Sequence, residues 1–469
     1  MEIKRDYYLR LADEKKLKEL AKTDPTLVFS GQSPQFIPEH LAIIGIDYHP
    51  DVMGSGYIKN KWADFIVEEI STDFEIISIE DVPENHPSRQ NLQSPKSEAD
   101  LVKQGMPTIE AVERLAENLK ISELQISYAG MKDSEAITAQ KITIDGLTPD
   151  KLQNISVPNL FLKNIHERRG IEKVGNLYGN RFTILVRTQP QDLAKLEQKV
   201  NILNKEGFYN FYSLQRFGGA RLNSHKTGGR ILRGEHEDAV KMLLVGTNSH
   251  EMPVLQNLRN EAATYWGNWA KMYEIFSQFP YFLYYELLFL GSLKANSDFS
   301  MALKAVPYET KMCVYGYFSY WFNKLLSKKI AEGNVPQELP LLRDFRESIE
   351  PYKGLIPEDQ LSKIKFNQPG FEFLKLNKPL SVPAKIVPKI WHVYEIPTGC
   401  VFHFDLKKGA YATTMLAEFF HLHQGKPVPE WVNQSEFDTR ALVGYRPIAE
   451  TIAKFPKVEN EGDLIGFVE

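Results

Sequence analysis

Apolar residues in this chain recur with two different periods, and each change of period marks the start of a new element. Leu9, Leu11, Leu17 and Leu20, set among lysines and glutamates, predict a weak surface helix near the amino terminus. Phe65, Val67 and Glu69 alternate with Ile66 and Glu68, a period of two that predicts a strand carrying those three on one face. Thr108 opens a helical pattern with Ile109, Val112, Leu115 and Leu119 on one stripe. Leu124-Gln125-Ile126-Ser127-Tyr128 returns to alternation and predicts a half-buried strand, and short apolar runs at 141–144 and 182–186 predict two more. Residues 83 to 99, rich in Pro, Ser, Asn and charge, predict an exposed loop.

Helices and strands therefore mix without the regular repeat of a parallel doubly wound fold, which points to an α+β chain. From about residue 247 to 380 the pattern turns helical and aromatic-rich, predicting a second domain inserted into the first. The expected organisation is an extension over 1–50, a catalytic domain in two parts, 51–246 and 381–469, and the insertion 247–380 between them. A length of 469 residues and a hydrophobic content of 43% are ample for two buried cores.

Composition narrows the function classes. Cys313 and Cys400 are the only cysteines and form no Cys-x-x-Cys pair, which argues against a disulfide framework or a zinc site and fits a reducing compartment. The charged start, Met1 to Asp6, has no apolar segment of a secretory kind. The most apolar stretch, residues 281–293, is interrupted by Glu286 and falls short of the roughly 20 residues needed to cross a bilayer. The formal net charge is −4, yet Lys205, Arg216, Arg221, Lys226, Arg230 and Arg233 stand against Glu206 alone between 205 and 234. That local excess, with Lys59, Lys61, Arg168 and Arg169 as extensions, suits a track for a phosphate backbone.

The chemistry centres on Ala129-Gly130-Met131-Lys132-Asp133-Ser134-Glu135-Ala136-Ile137-Thr138-Ala139-Gln140. A turn of this kind sets one carboxylate, Asp133, at a strand end, with Gly130 allowing a sharp exit from the strand. Taken alone, Lys-Asp after a strand is an ordinary turn. Three further blocks change the odds: Gly179-Asn180-Arg181-Phe182-Thr183, Asn210-Phe211-Tyr212-Ser213-Leu214-Gln215-Arg216-Phe217-Gly218-Gly219, and Gly409-Ala410-Tyr411-Ala412-Thr413. Rival constellations are weaker. His403, His421 and His423 lack a completing cysteine or carboxylate pair, with His421 and His423 expected on a helix, and Gly228-Gly229 lacks the Gly-Lys-Ser/Thr of a phosphate cradle.

In order and spacing these blocks resemble the TruD family of pseudouridine synthases. Lys59-Asn60-Lys61-Trp62-Ala63-Asp64-Phe65-Ile66-Val67-Glu68-Glu69 looks like the family's opening Lys and Asp-Phe-x-Val-x-Glu, and Ser319-Tyr320-Trp321-Phe322-Asn323 is similar to a segment of its insertion. The resemblance implies a mixed, largely antiparallel sheet and isomerisation of uridine to pseudouridine in tRNA, at a D-arm uridine. It puts Asp133 on the catalytic aspartate and implies no cofactor and no metal. RNA is then the expected partner, membranes are not, and a cytoplasmic monomer is the default, with a nuclear location open in a eukaryotic source.

Around Asp133 the expected RNA-contacting set is Lys59, Phe65, Glu69, Lys132, Asn210, Tyr212, Gln215, Arg216, Phe217 and Tyr411. An ionised Asp133 needs a cation, for which Lys59 and Arg216 both remain open because Lys132 should point to the opposite face. Tyr212 and Tyr411 are candidates for base stacking, Gln215 for fixing the loop, Thr138 and Gln140 for bracing the Asp133 turn, and Glu69 for positioning. Two departures stand out: Tyr212-Ser213 replaces the family's Phe-Gly, and Tyr411 its late Phe. Two other readings compete, an inactive RNA-binding or RNA-remodelling protein and a nucleoside hydrolase using Asp133 beside Glu69.

Overall fold

A computed structural model describes residues 7–29, 35–81, 96–168, 170–191 and 193–456. Its centre is an open nine-stranded sheet. Neighbour to neighbour, the path runs Lys389–Ile396, Gly399–Lys407, Gly179–Val186, Phe65–Ile70, Ile137–Asp145, Lys96–Gln104 and Leu160–Glu167, with Ile76–Ile77 added beside Phe65–Ile70 and Ile126–Tyr128 beside Ile137–Asp145. Within this sheet Phe65–Ile70 and Ile137–Asp145 run parallel, Val67 opposite Thr138, and the other pairings are antiparallel. The fold is thus α+β with a mixed, largely antiparallel sheet.

Phe65–Ile70 lies mid-sheet and all six of its residues are buried, so alternation here separates two cores rather than core from solvent. Phe65 and Val67 join the larger core with Phe182, Ile184 and many helical residues. Ile66 faces the other way, into a cluster with Val102, Phe161, Ile448 and Phe455. On that second face Glu68 pairs with fully buried Arg440 at 2.9 Å, tying the carboxy-terminal helices to the sheet.

Several predicted elements shift. Residues 96–99 begin the strand Lys96–Gln104 instead of closing a loop, because Ala99, Leu101 and Val102 are needed in the sheet; residues 83–95 lie outside the described residues apart from this. The helix Thr108–Leu119 buries Ala111, Val112, Leu115 and Ala116, which rotates its apolar stripe and leaves Ile109 exposed. Leu124 is exposed on a 3-10 turn, and the strand after it is only Ile126–Tyr128. His421–His423 is a strand, parallel to Ser55–Tyr57, and not helical.

The amino-terminal helix Tyr7–Thr23 is more than a surface element. Leu17 is fully buried, Asp13 accepts the Tyr281 N–H at 2.8 Å, and Lys16 donates to the Gln278 carbonyl at 2.7 Å. On the sheet side, Arg10 reaches Glu110 at 3.0 Å and the Gly105 carbonyl at 3.2 Å. The helix therefore joins the later helical part to the sheet.

That helical part is built from Pro253–Ala263, Trp269–Phe276, Tyr284–Asn296, Phe299–Ala305 and the long Pro307–Ala331. Ser224–Arg233 packs on Pro307–Ala331 at Gly228, where a Cβ would stand 2.0 Å from the Cys313 carbonyl. Only glycine lets the two backbones meet there, which accounts for Gly228 without any phosphate.

Candidate functional site

Parallel pairing decides where the site forms. Because Phe65–Ile70 and Ile137–Asp145 start at the same edge of the sheet, the segments leading into them must meet there. The first carries Lys59 and the second Asp133, and Lys59 Nζ donates to Asp133 Oδ1 at 3.0 Å. Lys59 takes a left-handed backbone, φ 60°, and its ammonium lies 4.8 Å from the centre of the Phe65 ring. Behind it the turn is fixed by buried Asp64, which accepts both prongs of fully buried Arg187 at 2.8 Å as well as the Lys61 N–H.

The Asp133 turn is anchored along its length. The Ala129 carbonyl accepts from Gly175 N–H at 2.7 Å. Gly130 has no positive φ and room for a Cβ; what fixes it is its carbonyl, which accepts from Gln140 at 3.0 Å. Gln140 in turn accepts from the Thr108 hydroxyl, and that hydroxyl accepts the Lys132 N–H at 2.9 Å. Thr138 does not share in this bracing: its buried hydroxyl has no hydrogen-bond partner among the described residues.

Lys103 was not singled out in the sequence. Fully buried, it donates to the Asp133 carbonyl at 2.8 Å and the Met106 carbonyl at 2.6 Å. Burial pushes its ammonium down to about 7, against the pull of Asp133 and Glu110. The available signal was a lysine after Leu101-Val102 in a buried strand, a cation that must be placed for a reason.

Asp133 keeps 27% of its side chain exposed. Burial pushes its carboxyl up, but Lys59, then Lys103, and a hydrogen bond from Gln215 outweigh burial and hold it below the usual carboxylate range. The group is thus ionised, reachable and oriented. Lys132 points away, to Glu69 at 2.7 Å and Asn180 at 2.8 Å. Burial raises the Glu69 carboxyl despite Lys132. The Glu69 side chain is 3% exposed and pairs with Lys132.

Gln215, whose side chain bonds the Asp133 carboxylate, belongs to the block that also carries Tyr212 and Arg216, and these two meet Tyr411. Asn323 fixes Tyr212, accepting its N–H at 2.9 Å and donating to its carbonyl at 3.0 Å, so one residue of the aromatic-rich segment has a defined task there. The Tyr212 and Tyr411 rings meet edge to face with centres 6.3 Å apart. Arg216 lies over Tyr212 at 5.6 Å and donates to the Tyr411 hydroxyl at 3.2 Å, giving that added hydroxyl a partner. Lys59, and not Arg216, is therefore the cation on Asp133. Ser213 has φ −82° and ψ 170°, ordinary extended geometry, so this turn does not require glycine.

Besides Lys132 and Glu69, three more of the expected contact residues do not reach the opening. Phe217 is fully buried and Phe65 is 1% exposed, both in the larger core. Asn210 is buried and donates through its side chain to the Pro383 carbonyl at 3.1 Å, a backbone clamp. The basic stripe also breaks up. Arg221 binds Glu286 and the Leu243 carbonyl, Arg233 pairs with Glu235 at 2.8 Å, Arg168 pairs with Glu98 and Glu172, and Lys61 pairs with Glu436. Arg169 lies outside the described residues. Among the described residues no group of three His, Cys, Asp or Glu could hold a metal ion, and no helix is long and apolar enough to cross a membrane.

The site is thus an ionised carboxylate on a braced turn, paired to one lysine, on an α+β sheet. The family described as tRNA pseudouridine synthase D (TruD) matches residues 48–341, and the chain belongs to that family. It is similar to a protein of Methanopyrus kandleri named "Probable tRNA pseudouridine synthase D", 32% identical over 340 residues that make up 68% of this chain and 84% of the relative. A Methanocaldococcus jannaschii protein named "Probable tRNA pseudouridine synthase D 1" is 26% identical over 389 residues, 79% of this chain and 97% of its own. A crystal structure from Methanosarcina mazei, titled as a tRNA pseudouridine synthase D, shares the fold with a TM-score of 0.56 at 23% identity, covering 80% of this chain and 96% of that one.

Proposed function

We infer that this chain isomerises a uridine of tRNA to pseudouridine, with Asp133 as the reacting group. The observation that carries the reading is the 3.0 Å pairing of a partly exposed Asp133 carboxylate with Lys59 at the mouth of the site. In the reaction the bond from ribose C1′ to uracil N1 breaks with its electron pair leaving on nitrogen. The base turns, C5 bonds to C1′, the C5 proton departs and N1 takes up a proton. Nothing is gained or lost in net, so the reaction itself calls for no cofactor. An ionised Asp133 serves whether it attacks the sugar, adds to the base or removes a ribose proton.

Uracil must leave its stack to reach Asp133, at a cost of about a few kcal/mol, and stacking on Tyr212 or Tyr411 would return roughly 1–3 kcal/mol. Residues 247–380 supply the far wall of the RNA cleft in this reading, since Asn323 already holds Tyr212. A D-arm uridine is the preferred target, a choice supported by the family resemblance. The test is base-resolved mapping and intact mass of tRNA after incubation. Pseudouridine at one position with unchanged RNA mass is expected. Free uracil with a mass loss would favour the hydrolase, and specific binding without either product would favour the inactive RNA-binding protein.

A further inference from the structure

On the catalytic turn, exposure alternates: Met131 is 58% exposed, the Lys132 side chain 2% and the Asp133 side chain 27%. Met131 and Asp133 therefore emerge on the open side while Lys132 points into the protein. The other apolar side chains of the turn, Ala129 and Ala136, are buried. Backbone anchors flank Met131 on both sides: the Gly130 carbonyl is held by Gln140, and the Lys132 N–H by Thr108. The side chain is thus presented to solvent from a rigid base, two residues before the reacting carboxylate.

An exposed apolar side chain on its own needs no explanation. Here its placement gives it one, because any nucleotide whose sugar–base junction reaches Asp133 brings its stacked neighbours to the same lip. A base that has left a helix leaves a gap about one ring thick, and apolar side chains inserted between base steps are an established way to hold such a gap open. Methionine suits the task, being unbranched, flexible and polarisable enough to lie against a base face.

We propose that Met131 is a substrate-contacting wedge that enters the RNA stack where the target uridine has left it. The proposal rests on the isomerase reading and adds a residue to its site. Its role is to hold the base out, so its loss should leave both the ionisation of Asp133 and overall RNA affinity largely unchanged.

The test uses the full chain and a tRNA transcript carrying 2-aminopurine beside the mapped target uridine, with Met131→Ser and Met131→Leu as variants. Wild type and M131L should raise 2-aminopurine emission on binding and turn over at similar rates. M131S should bind within about threefold of wild type, leave emission near that of free RNA, and lose roughly tenfold in kcat, the size of a partly lost unstacking contribution. Its circular dichroism and melting should match wild type. If M131S retains emission and turnover, or if wild type gives no rise in emission while still making pseudouridine, the wedge is overturned and the isomerase reading stands. If wild type makes no pseudouridine in any tRNA, both fall.

Discussion

Replacing Lys59 by methionine tests how the site keeps Asp133 charged. Four influences act on that carboxyl: burial raises its pKa, while Lys59 at 3.0 Å, Lys103 and a hydrogen bond from Gln215 lower it, and the balance lies below the ordinary value. An opposite charge at such range lowers a carboxyl by about 1–3 pH units, each worth about 1.4 kcal/mol. Without Lys59 the burial contribution should win, carrying Asp133 above its ordinary value. The sign follows directly. A depressed carboxyl favours the ionised form above its own pKa, so activity is lost as pH falls through it, and raising that pKa moves the loss to higher pH. The acid limb of kcat/KM, read by pseudouridine formation between about pH 4 and 8, should therefore rise by at least about one unit in Lys59→Met. Activity should fall more at pH 5 than at pH 8. An unchanged midpoint with a uniform drop would refute the reasoning and assign Lys59 to substrate contact alone.

Asp64→Asn should cost about 3–5 kcal/mol, measured by urea unfolding, because it breaks a two-pronged pair with a fully buried arginine; Lys61→Ala, which removes a pair to the exposed Glu436, should leave the urea midpoint in place. Asp13 is fully buried and burial pushes its carboxyl up to about 6, so its contribution to stability is present below about pH 4 and is lost as pH rises through 6. Asp13→Asn should consequently stabilise the chain at pH 8, by at most about 3 kcal/mol, and the gain should vanish at pH 4 in thermal unfolding.

Local chemistry was the legible part of the sequence. Asp133 stood out because glycine, lysine and alternating apolar residues surround it, and period-two alternation put Phe65, Val67 and Glu69 on one face of a strand, where they lie. Pairings over long sequence distances were not legible. Lys59 and Arg216 were equivalent candidates until the parallel register of two strands brought Lys59 to the carboxylate across 74 residues. The Asp64–Arg187 pair, the buried Lys103 and the docking of the amino-terminal helix depend on topology in the same way, since a period tells which face a residue shares but not what lies opposite. Phe217 and Asn210 were misplaced for a related reason: aromatic and amide residues in a polar block can turn to the cleft or to the backbone behind it. Ile109 and Leu124 show the limit of stripes, as a rotation of one residue around a helix and an intervening 3-10 turn gave both to solvent.

The most direct measurement is release of tritium from uracil C5 in tRNA by wild type and by Asp133→Asn, with RNA binding followed in parallel. Wild type is expected to release label in step with pseudouridine, and the variant to bind the same tRNA within a few-fold while releasing none above background. Release by Asp133→Asn at a rate near wild type would contradict the account, since the carboxylate at its centre would then have no part in the reaction.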